Sequence, residues 1–225
     1  MILRLAALAA ISALLPATAA KVHQRLASAA EVLEETMNMK EKSIPQDLLN
    51  KAHCVVVIPG MKKGAFMFGA KYGKGFLVCR GKGGVGWTAP GAVRIEGGSF
   101  GLQIGGSETD VIMLVMNEKG KKKLLASKFT IGGDASAAAG PLGRTAAAQT
   151  DAQMRAEILT YSRSRGVFAG ISLDGATLRA ADDDNAKLYR RPITNREIIL
   201  QGVKPPPEAK RLLAVLNRYS SRESK

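Results

Sequence analysis

The stretch Cys54-Val-Val-Val-Ile58 begins a part of the chain in which short apolar segments alternate with glycines. Fifteen of the 24 glycines lie between Gly60 and Gly106. Regular turn signals between short apolar segments are typical of antiparallel strands that follow one another in a sheet. The strands predicted here cover residues 54–58, 65–68, 75–79, 92–95, 100–104 and 111–116.

Helical patterns flank this strand region on both sides. The apolar residues that recur at helical spacing before it are Val22, Leu26, Ala29, Leu33 and Met37. Further helices are predicted over 46–52, 119–127, 182–188, 195–200 and 208–219, and further strands over 156–162 and 167–173. The predicted fold class is therefore α+β, with a meandering antiparallel sheet that can curl towards a barrel and with packed N- and C-terminal helices.

The first twenty residues have the pattern of a secretory signal peptide. A single charged residue precedes an apolar run over 5–15, and small residues follow this run. Such a short apolar run with small residues behind it is typical of a cleaved signal. We therefore expect cleavage after Ala19 or Ala20, a single domain over 21–219 and a disordered tail over 220–225.

The chain is strongly basic, with 33 Lys and Arg against 19 Asp and Glu and a formal net charge of +14. Such a surplus attracts polyanions, for example anionic lipid, nucleic acid or an acidic cell surface. No acidic residue lies between Leu48 and Val93, and we expect five of the lysines there to lie at exposed turns: Lys62, Lys63, Lys71, Lys74 and Lys82. A later basic helix and the pair Arg163 and Arg165 add further positive charge. The candidate lipid-binding lysines are Lys62, Lys63, Lys71, Lys74, Lys82, Lys121, Lys122 and Lys123.

Whether these basic clusters share one face is not decided by the sequence. A generally basic surface that keeps the protein soluble explains the same charges as well as a binding patch does.

Two enzyme-like motif matches fail because their context is wrong. Gly81-Lys-Gly-Gly-Val-Gly86 has the spacing of a dinucleotide-binding loop, but Trp87-Thr-Ala-Pro-Gly91 cannot form the helix that such a loop requires. Gly97-Gly-Ser-Phe-Gly101 matches a nucleophile elbow, whose histidine follows the serine in the chain. Here His23 and His53 both precede it. The sequence therefore predicts no enzyme.

The polar clusters do not have the spacing of a metal site. Asp182-Asp-Asp-Asn185 lacks the later ligands and the glycine of a calcium loop, so an acidic helix start is the better interpretation. Two histidines and two separated cysteines give no zinc pattern. Cys54 and Cys79 either form a disulfide or serve as two small buried residues. Trp87 is interpreted as part of the core rather than as a ligand platform.

Four motifs in sequence order resemble the SYLF domain family, and the resemblance spans Leu26 to Leu216. They are Gly86-Trp-Thr-Ala-Pro90, Gly101-Leu-Gln-Ile-Gly105, Asp134-Ala-Ser-Ala-Ala-Ala-Gly-Pro-Leu-Gly-Arg144 and Tyr161-Ser-Arg-Ser-Arg-Gly-Val-Phe-Ala-Gly-Ile-Ser-Leu-Asp-Gly175. The resemblance implies a strand over 135–139. It also implies a glycine after Asn185-Ala-Lys-Leu-Tyr189, where this chain has Arg190. We expect that departure to affect one turn only.

In endocytic adaptors the SYLF domain is linked to phosphoinositide and actin binding, and the family also occurs in secreted bacterial proteins. With the signal pattern, the resemblance implies a secreted, periplasmic protein that binds anionic membrane lipids through their headgroups. The alternative is a structural or assembly protein of the cell envelope whose basic face binds protein or an acidic polymer. No cofactor, metal or nucleic acid is expected, and an exported protein is not expected to meet actin.

Overall fold

A computed structural model describes residues 3–39, 43–66, 68–100, 105–126, 128–143, 153, 155–164 and 167–220. The helices in this part of the chain are α1 (Leu3–Asn38), α2 (Gln46–Lys51), α3 (Glu118–Leu124), α4 (Asp182–Tyr189), α5 (Asn195–Leu200) and α6 (Lys210–Ser220). The strands are β1 (Cys54–Phe66), β2 (Phe68–Cys79), β3 (Gly91–Phe100), β4 (Gly105–Val115), β5 (Lys128–Thr130), β6 (Ala137–Ala139), β7 (Ile158–Ser164), β8 (Val167–Gly170) and β9 (Thr177–Ala180).

These strands form one sheet in the order β5-β9-β3-β2-β1-β4-β7-β6, and β8 pairs with the second half of β7. Neighbouring strands are antiparallel, except that β6 runs parallel to β7. The sheet curls strongly into a half-barrel. The structure thus confirms the predicted α+β class and the strand over the alanine run, whereas β5 and β9 were not predicted. Apart from Phe100, the predicted strand over 100–104 lies outside the described residues.

The two central strands are longer than predicted, with 13 residues in β1 and 12 in β2. Several glycines that were interpreted as turns lie inside them. At Gly75 a Cβ atom would lie 2.0 Å from the carbonyl oxygen of Val57, so only glycine allows the strands to approach this closely. The lysines that were predicted at turns but lie within β1 and β2 are Lys62, Lys63, Lys71 and Lys74.

Both faces of the sheet are covered. Val55 and Val57 point to the helix layer, in which α1 and α6 pack together. Four of the five residues in the predicted apolar pattern of α1 are at most 1% exposed and the fifth, Met37, is partly buried, which confirms the predicted amphipathic helix; the four are Val22, Leu26, Ala29 and Leu33. On the other face, Val56 and Ile58 pack with Phe129 of β5 and with α5. Burial on both faces leaves little of the sheet for contact with a partner.

Cys54 and Cys79 form a disulfide with an S–S distance of 2.07 Å. The two residues lie directly opposite each other on β1 and β2. The structure therefore decides between the two alternatives that the sequence left open, and the bond joins the central strands where both are fully buried.

A buried amide network attaches α4 and α5 to the start of β3. The side-chain oxygen of Asn185 accepts a hydrogen bond of 2.7 Å from the Ala92 amide. The Asn185 amide donates to Asn195 at 2.7 Å, and the Asn195 amide donates to the Ala92 carbonyl at 2.9 Å. Tyr189 donates to the Pro90 carbonyl at 2.6 Å, and burial raises the pKa of its hydroxyl. The Asn-x-x-x-Tyr segment therefore has a structural role.

α4 ends at Arg190, whose φ of 56° places it in the left-handed region. Among the described residues other than glycine, Arg190 alone has a positive φ. Such a position favours glycine, because a Cβ atom meets the adjoining carbonyl oxygen there. The backbone therefore keeps the conformation of a glycine turn although the sequence has arginine.

Replacing Arg190 by glycine should raise the free energy of unfolding by about 0.5–1 kcal/mol, because the left-handed conformation no longer strains a side chain. Urea denaturation measures the change. Arg191→Gly is the matched control, since Arg191 is equally exposed and does not have positive φ. That control should lower stability by about 0.5–1 kcal/mol. Equal losses in both variants would contradict the assignment of strain to Arg190.

Candidate interaction surface

The strand register divides the predicted lysine cluster between two faces of the sheet. Lys62 lies opposite Tyr72 on β2 and opposite Glu108 on β4. Lys63 lies opposite Lys71. Because successive residues of a strand point to opposite faces, Lys62 points to the helix side and Lys63 to the other side. The prediction that these lysines lie at turns is therefore wrong, and the strand register places Lys62 and Lys63 on opposite faces.

Lys74 has a structural partner on the helix side. Its ammonium group lies 3.0 Å from Oδ2 of Asp184, and Arg25 of α1 lies 2.9 Å from the same oxygen. Asp184 is only 2% exposed, so these cations neutralise a buried carboxylate. Lys74 thus joins β2 to α4 and is not available to an external anion.

The basic helix α3 is largely occupied as well. Lys123 and Lys119 lie 3.1 and 3.4 Å from the carboxylate of Glu157, which is 7% exposed. Lys121 lies 3.6 Å from Glu118. Lys122 is exposed and has no ion pair within the described residues. Of the three predicted lysines of α3, the structure leaves this one unpaired.

Glu157 is held ionised by this cluster. Burial alone would raise its pKa, but the hydrogen bonds from Lys123 and from the Ser136 amide, with the charges of Lys123 and Lys119, bring the pKa below its ordinary value. The lysines of α3 therefore stabilise the packing of that helix against the start of β7.

Lys63 and Lys71 form a pair of like charges on the face opposite the helix layer. Both are half-buried, and neither has an ion pair within the described part of the chain. Burial and the charge of Lys71 lower the pKa of the Lys63 ammonium group. Lys82 is exposed in the turn after β2, at the far end of that strand from Lys71. The structure therefore brings two of the eight candidate lysines together without a compensating acid.

A polar cleft of about 640 Å³ lies between α1 and the bulge of β1. Arg163 crosses it, with Nη2 at 2.8 Å from Asp110 and with a second ion pair to Glu35. Gly60 donates its amide to Asp110 at 2.9 Å. Burial nevertheless raises the pKa of Asp110, with the nearby Glu108 and Glu31 adding to the effect. Arg163 is thus neutralised, and Arg165 lies outside the described residues.

Arg80 belongs to the basic stretch before Val93 that has no acidic residue, and it is only 4% exposed. Its guanidinium donates to the carbonyl oxygens of Leu49 at 3.2 Å, Ala52 at 3.3 Å and Ser220 at 2.7 Å. It also contacts the Ser220 hydroxyl. These groups lie at the C-terminal ends of α2 and α6, where carbonyls lack partners within the helix. Ser220 is therefore a buried helix end and not part of a frayed tail; residues 221–225 lie outside the described residues.

Trp87 completes this cluster. Its ring lies 3.8 Å from the Arg80 guanidinium, and its Nε1 donates to the Ser220 carbonyl at 3.2 Å. The glycine-rich segment between Arg80 and Trp87 reverses the chain direction, so that these two residues form an isolated antiparallel β-bridge. The Trp87 ring is partly buried against the helix-side core, which supports a structural role for Gly86-Trp-Thr-Ala-Pro90.

The two longest family motifs meet around Tyr161, which is fully buried. Its ring stacks on Phe168 at a centroid distance of 5.5 Å. A Cβ atom at Gly140 would lie 2.0 Å from the Tyr161 ring, and one at Gly170 would lie 2.3 Å from the Gly140 carbonyl oxygen. The glycines of both motifs are therefore needed for packing.

The described residues contain no group of three or more His, Cys, Asp or Glu side chains that could hold a metal ion. Of the helices in the described ranges, none combines the length and the apolar character needed to span a membrane.

Comparison with known proteins finds similar proteins in yeasts and vertebrates. Residues 96–219 match the model of the Ysc84 family, described as "Las17-binding protein actin regulator". The chain is 38% identical over 181 residues to an SH3 domain-containing protein of Schizosaccharomyces pombe, covering 79% of this chain and 41% of that protein. It is 35% identical over 181 residues to LAS seventeen-binding protein 3 of Saccharomyces cerevisiae, covering 78% and 39%. It is 33% identical over 201 residues to SH3 domain-containing YSC84-like protein 1 of Xenopus laevis, covering 86% and 59%.

These similarities overturn the predicted location and partners. The related proteins come from yeasts and vertebrates and are named for Las17, SH3 domains or YSC84. The predictions of a secreted, periplasmic protein with a signal peptide, of binding to anionic lipid headgroups, and of a cell-envelope role are therefore wrong. The expectation that actin is no partner is also wrong, since the family description names it. In the structure, Ala19 and Ala20 lie inside the continuous helix α1, and the lysines do not form one patch.

Replacing Arg80 by methionine should lower the free energy of unfolding by about 3–4 kcal/mol, because buried carbonyls at two helix ends lose their donor. Urea denaturation measures the loss. Arg211→Met removes an arginine that is 55% exposed and paired with Glu34, so this control should change stability by less than about 0.5 kcal/mol. A loss below about 1 kcal/mol at Arg80 would contradict its role in joining the helices.

The Glu157→Gln variant should be less stable than the natural protein by about 1.5–3 kcal/mol near pH 6, because charge-assisted hydrogen bonds are lost. The folded pKa of Glu157 lies below the unfolded value of about 4.3, so its contribution is complete above that value and is lost as the pH falls through the folded pKa. The stability difference between the two proteins should therefore shrink from pH 6 to pH 3 in denaturation experiments. A constant difference would show that the carboxylate charge is not involved.

Proposed function

This chain belongs to the Ysc84 family, as the SYLF resemblance indicated, and from this membership we propose that it is a non-catalytic module that binds proteins of the actin-regulatory machinery. The observation that carries the proposal is the match of residues 96–219 to a family described as a Las17-binding actin regulator. The family description names Las17 as a protein that is bound and actin as a protein that is regulated. We assign the same partner class to this domain.

The two histidines and the two cysteines have partners within the fold. His53 lies 3.2 Å from Glu118, and His23 lies 3.6 Å from Glu208, so each histidine faces a glutamate and not a nucleophile. Cys54 and Cys79 are joined in the disulfide, which removes the thiols as nucleophiles. What the surface offers instead is positive charge, with a formal net charge of +14. Such a surplus favours association with acidic protein surfaces.

The matched part of the relatives is one region of longer proteins. The chain spans 41% of the S. pombe relative, 39% of the S. cerevisiae relative and 59% of the X. laevis relative. Two of these relatives are named for SH3 domains, and such a domain can supply binding of its own. The decisive question is therefore whether the region shared with this chain binds by itself.

We expect the isolated chain to sediment with purified actin filaments and to be retained by immobilised Las17 of S. cerevisiae. Co-sedimentation at increasing filament concentration measures the first interaction, and a pull-down measures the second. Binding should weaken as salt is raised, because the surplus charge of the chain contributes to it.

The control is the Arg80→Met variant at a urea concentration that unfolds it but leaves the natural protein folded. Binding that persists in this unfolded variant would indicate non-specific attraction of a basic chain. If the natural protein stays in the supernatant and is not retained by Las17, the proposed function is wrong.

A further inference from the structure

Lys63 and Lys71 are held opposite each other by strand pairing rather than by chance contact. They are direct neighbours across β1 and β2, in a register that continues over Gly64 and Ala70. Side chains at such positions have Cβ atoms about 4.5–5.5 Å apart, and like charges there destabilise a sheet. Their positions in the ladder therefore hold two ammonium groups close together at a cost to folding.

The surroundings do not compensate this cost. Ser107 lies beside Lys63 on β4, and Gly97 lies beside Lys71 on β3. The nearest acidic residues on these strands are Glu108, one residue after Ser107, and Glu96, one residue before Gly97. They therefore point to the opposite face of the sheet, in the row of Lys62 and Tyr72.

The free side of the pair is open to a ligand. The segment that contains Ala176 covers the sheet at Gly97, where a Cβ atom would lie 3.1 Å from the Ala176 Cα. Lys63 and Lys71 are both partly exposed on this face. Ser107, the neighbour of Lys63 on β4, has a small side chain. An approaching chain can therefore reach both lysines from that direction.

We propose that Lys63 and Lys71 form a docking site for an acidic segment of a partner protein, with carboxylate groups of that segment neutralising both lysines. The assignment rests on the proposed function, because it takes the partner to be an actin-regulatory protein. Charge complementarity indicates an acidic ligand. The other buried cations described above are paired with carboxylates, or with carbonyl groups in the case of Arg80, whereas Lys63 and Lys71 have no such partner within the described residues. Ser107 can donate a further hydrogen bond.

An extended acidic segment fits the spacing of this site. Side chains at alternate positions of an extended chain lie about 6.5–7 Å apart on one side, which flexible lysine side chains can span. Each ammonium group can then donate charge-assisted hydrogen bonds to a different carboxylate. The small side chain of Ser107 allows the backbone of the segment to approach from the side of β4.

The test compares Lys63→Gln/Lys71→Gln with Lys62→Gln/Lys122→Gln. Both double variants lower the net charge by two, and the control residues are exposed on other surfaces. The probe is a fluorescently labelled polyglutamate peptide, measured by anisotropy on the folded full chain. The first variant should bind the peptide at least about tenfold more weakly, because charge-assisted hydrogen bonds are lost. The control should bind within about twofold of the natural protein, because only long-range attraction changes.

Thermal unfolding adds a readout that distinguishes a binding role from a structural one. Removing the opposed charges should raise the Tm of Lys63→Gln/Lys71→Gln by about 1–4 °C. Weaker peptide binding together with higher stability supports the proposal. A lower Tm would show that the lysines stabilise the fold, and it would overturn the proposal.

Other outcomes overturn it as well. Equal loss of peptide binding in both double variants would mean that general positive charge is responsible. Displacement of the peptide by inorganic phosphate at equal charge concentration, or by vesicles that contain anionic phospholipid, would assign the pair to a phosphate-bearing ligand instead.

Actin filaments and Las17 separate this proposal from the proposed function. If the natural protein binds them and Lys63→Gln/Lys71→Gln binds equally well, the docking site is wrong and the proposed function stands. If the natural protein binds neither while the peptide result holds, the proposed function is wrong and the site for an acidic segment stands.

Discussion

The hydrogen bonds of one buried guanidinium hold the helix layer to the sheet. Arg80 follows directly after β2 and donates to carbonyl groups at the ends of α2 and α6, where the contacted residues Leu49 and Ser220 are 171 residues apart in the chain. A helix end without such a donor would leave several carbonyl groups buried and unpaired. Trp87 covers the guanidinium, and the disulfide at Cys79 joins the same end of β2 to β1. The central strands and the chain-distant helices therefore meet at one point.

Burial of both sheet faces then decides which charges remain available to a partner. One face packs against α1 and α6, and the other against β5 and α5. Cations near these layers are used within the fold, as Lys74 is at Asp184 and Lys123 is at Glu157. The Lys63 and Lys71 pair lies at the edge of the packed layers, after the buried Met61 of β1, and neither lysine has an ion pair within the described residues. A strongly basic composition thus produces a small local site.

The family motifs encode packing rather than chemistry. Gly140 and Gly170 are required because Tyr161 and the neighbouring backbone occupy the space of a side chain. Asn185 accepts a hydrogen bond from the Ala92 amide near the start of β3, and Trp87 donates one to the Ser220 carbonyl at the end of α6. These contacts explain how a sequence resemblance can identify the fold correctly while the location and the lipid ligand inferred from it are wrong.

The sequence by itself determined the α+β class, the buried face of α1 and the family, because periodicity and motif order are local properties of the chain. It did not determine the length of β1 and β2, since glycine inside a strand depends on how closely Val57 of the neighbouring strand approaches Gly75. It also could not assign the lysines to faces. A bulge between Val57 and Lys62 adds one residue to β1, and a shift of one residue reverses the face of every later side chain. Only the tertiary pairing of β1 with β2 and β4 therefore placed Lys63 beside Lys71.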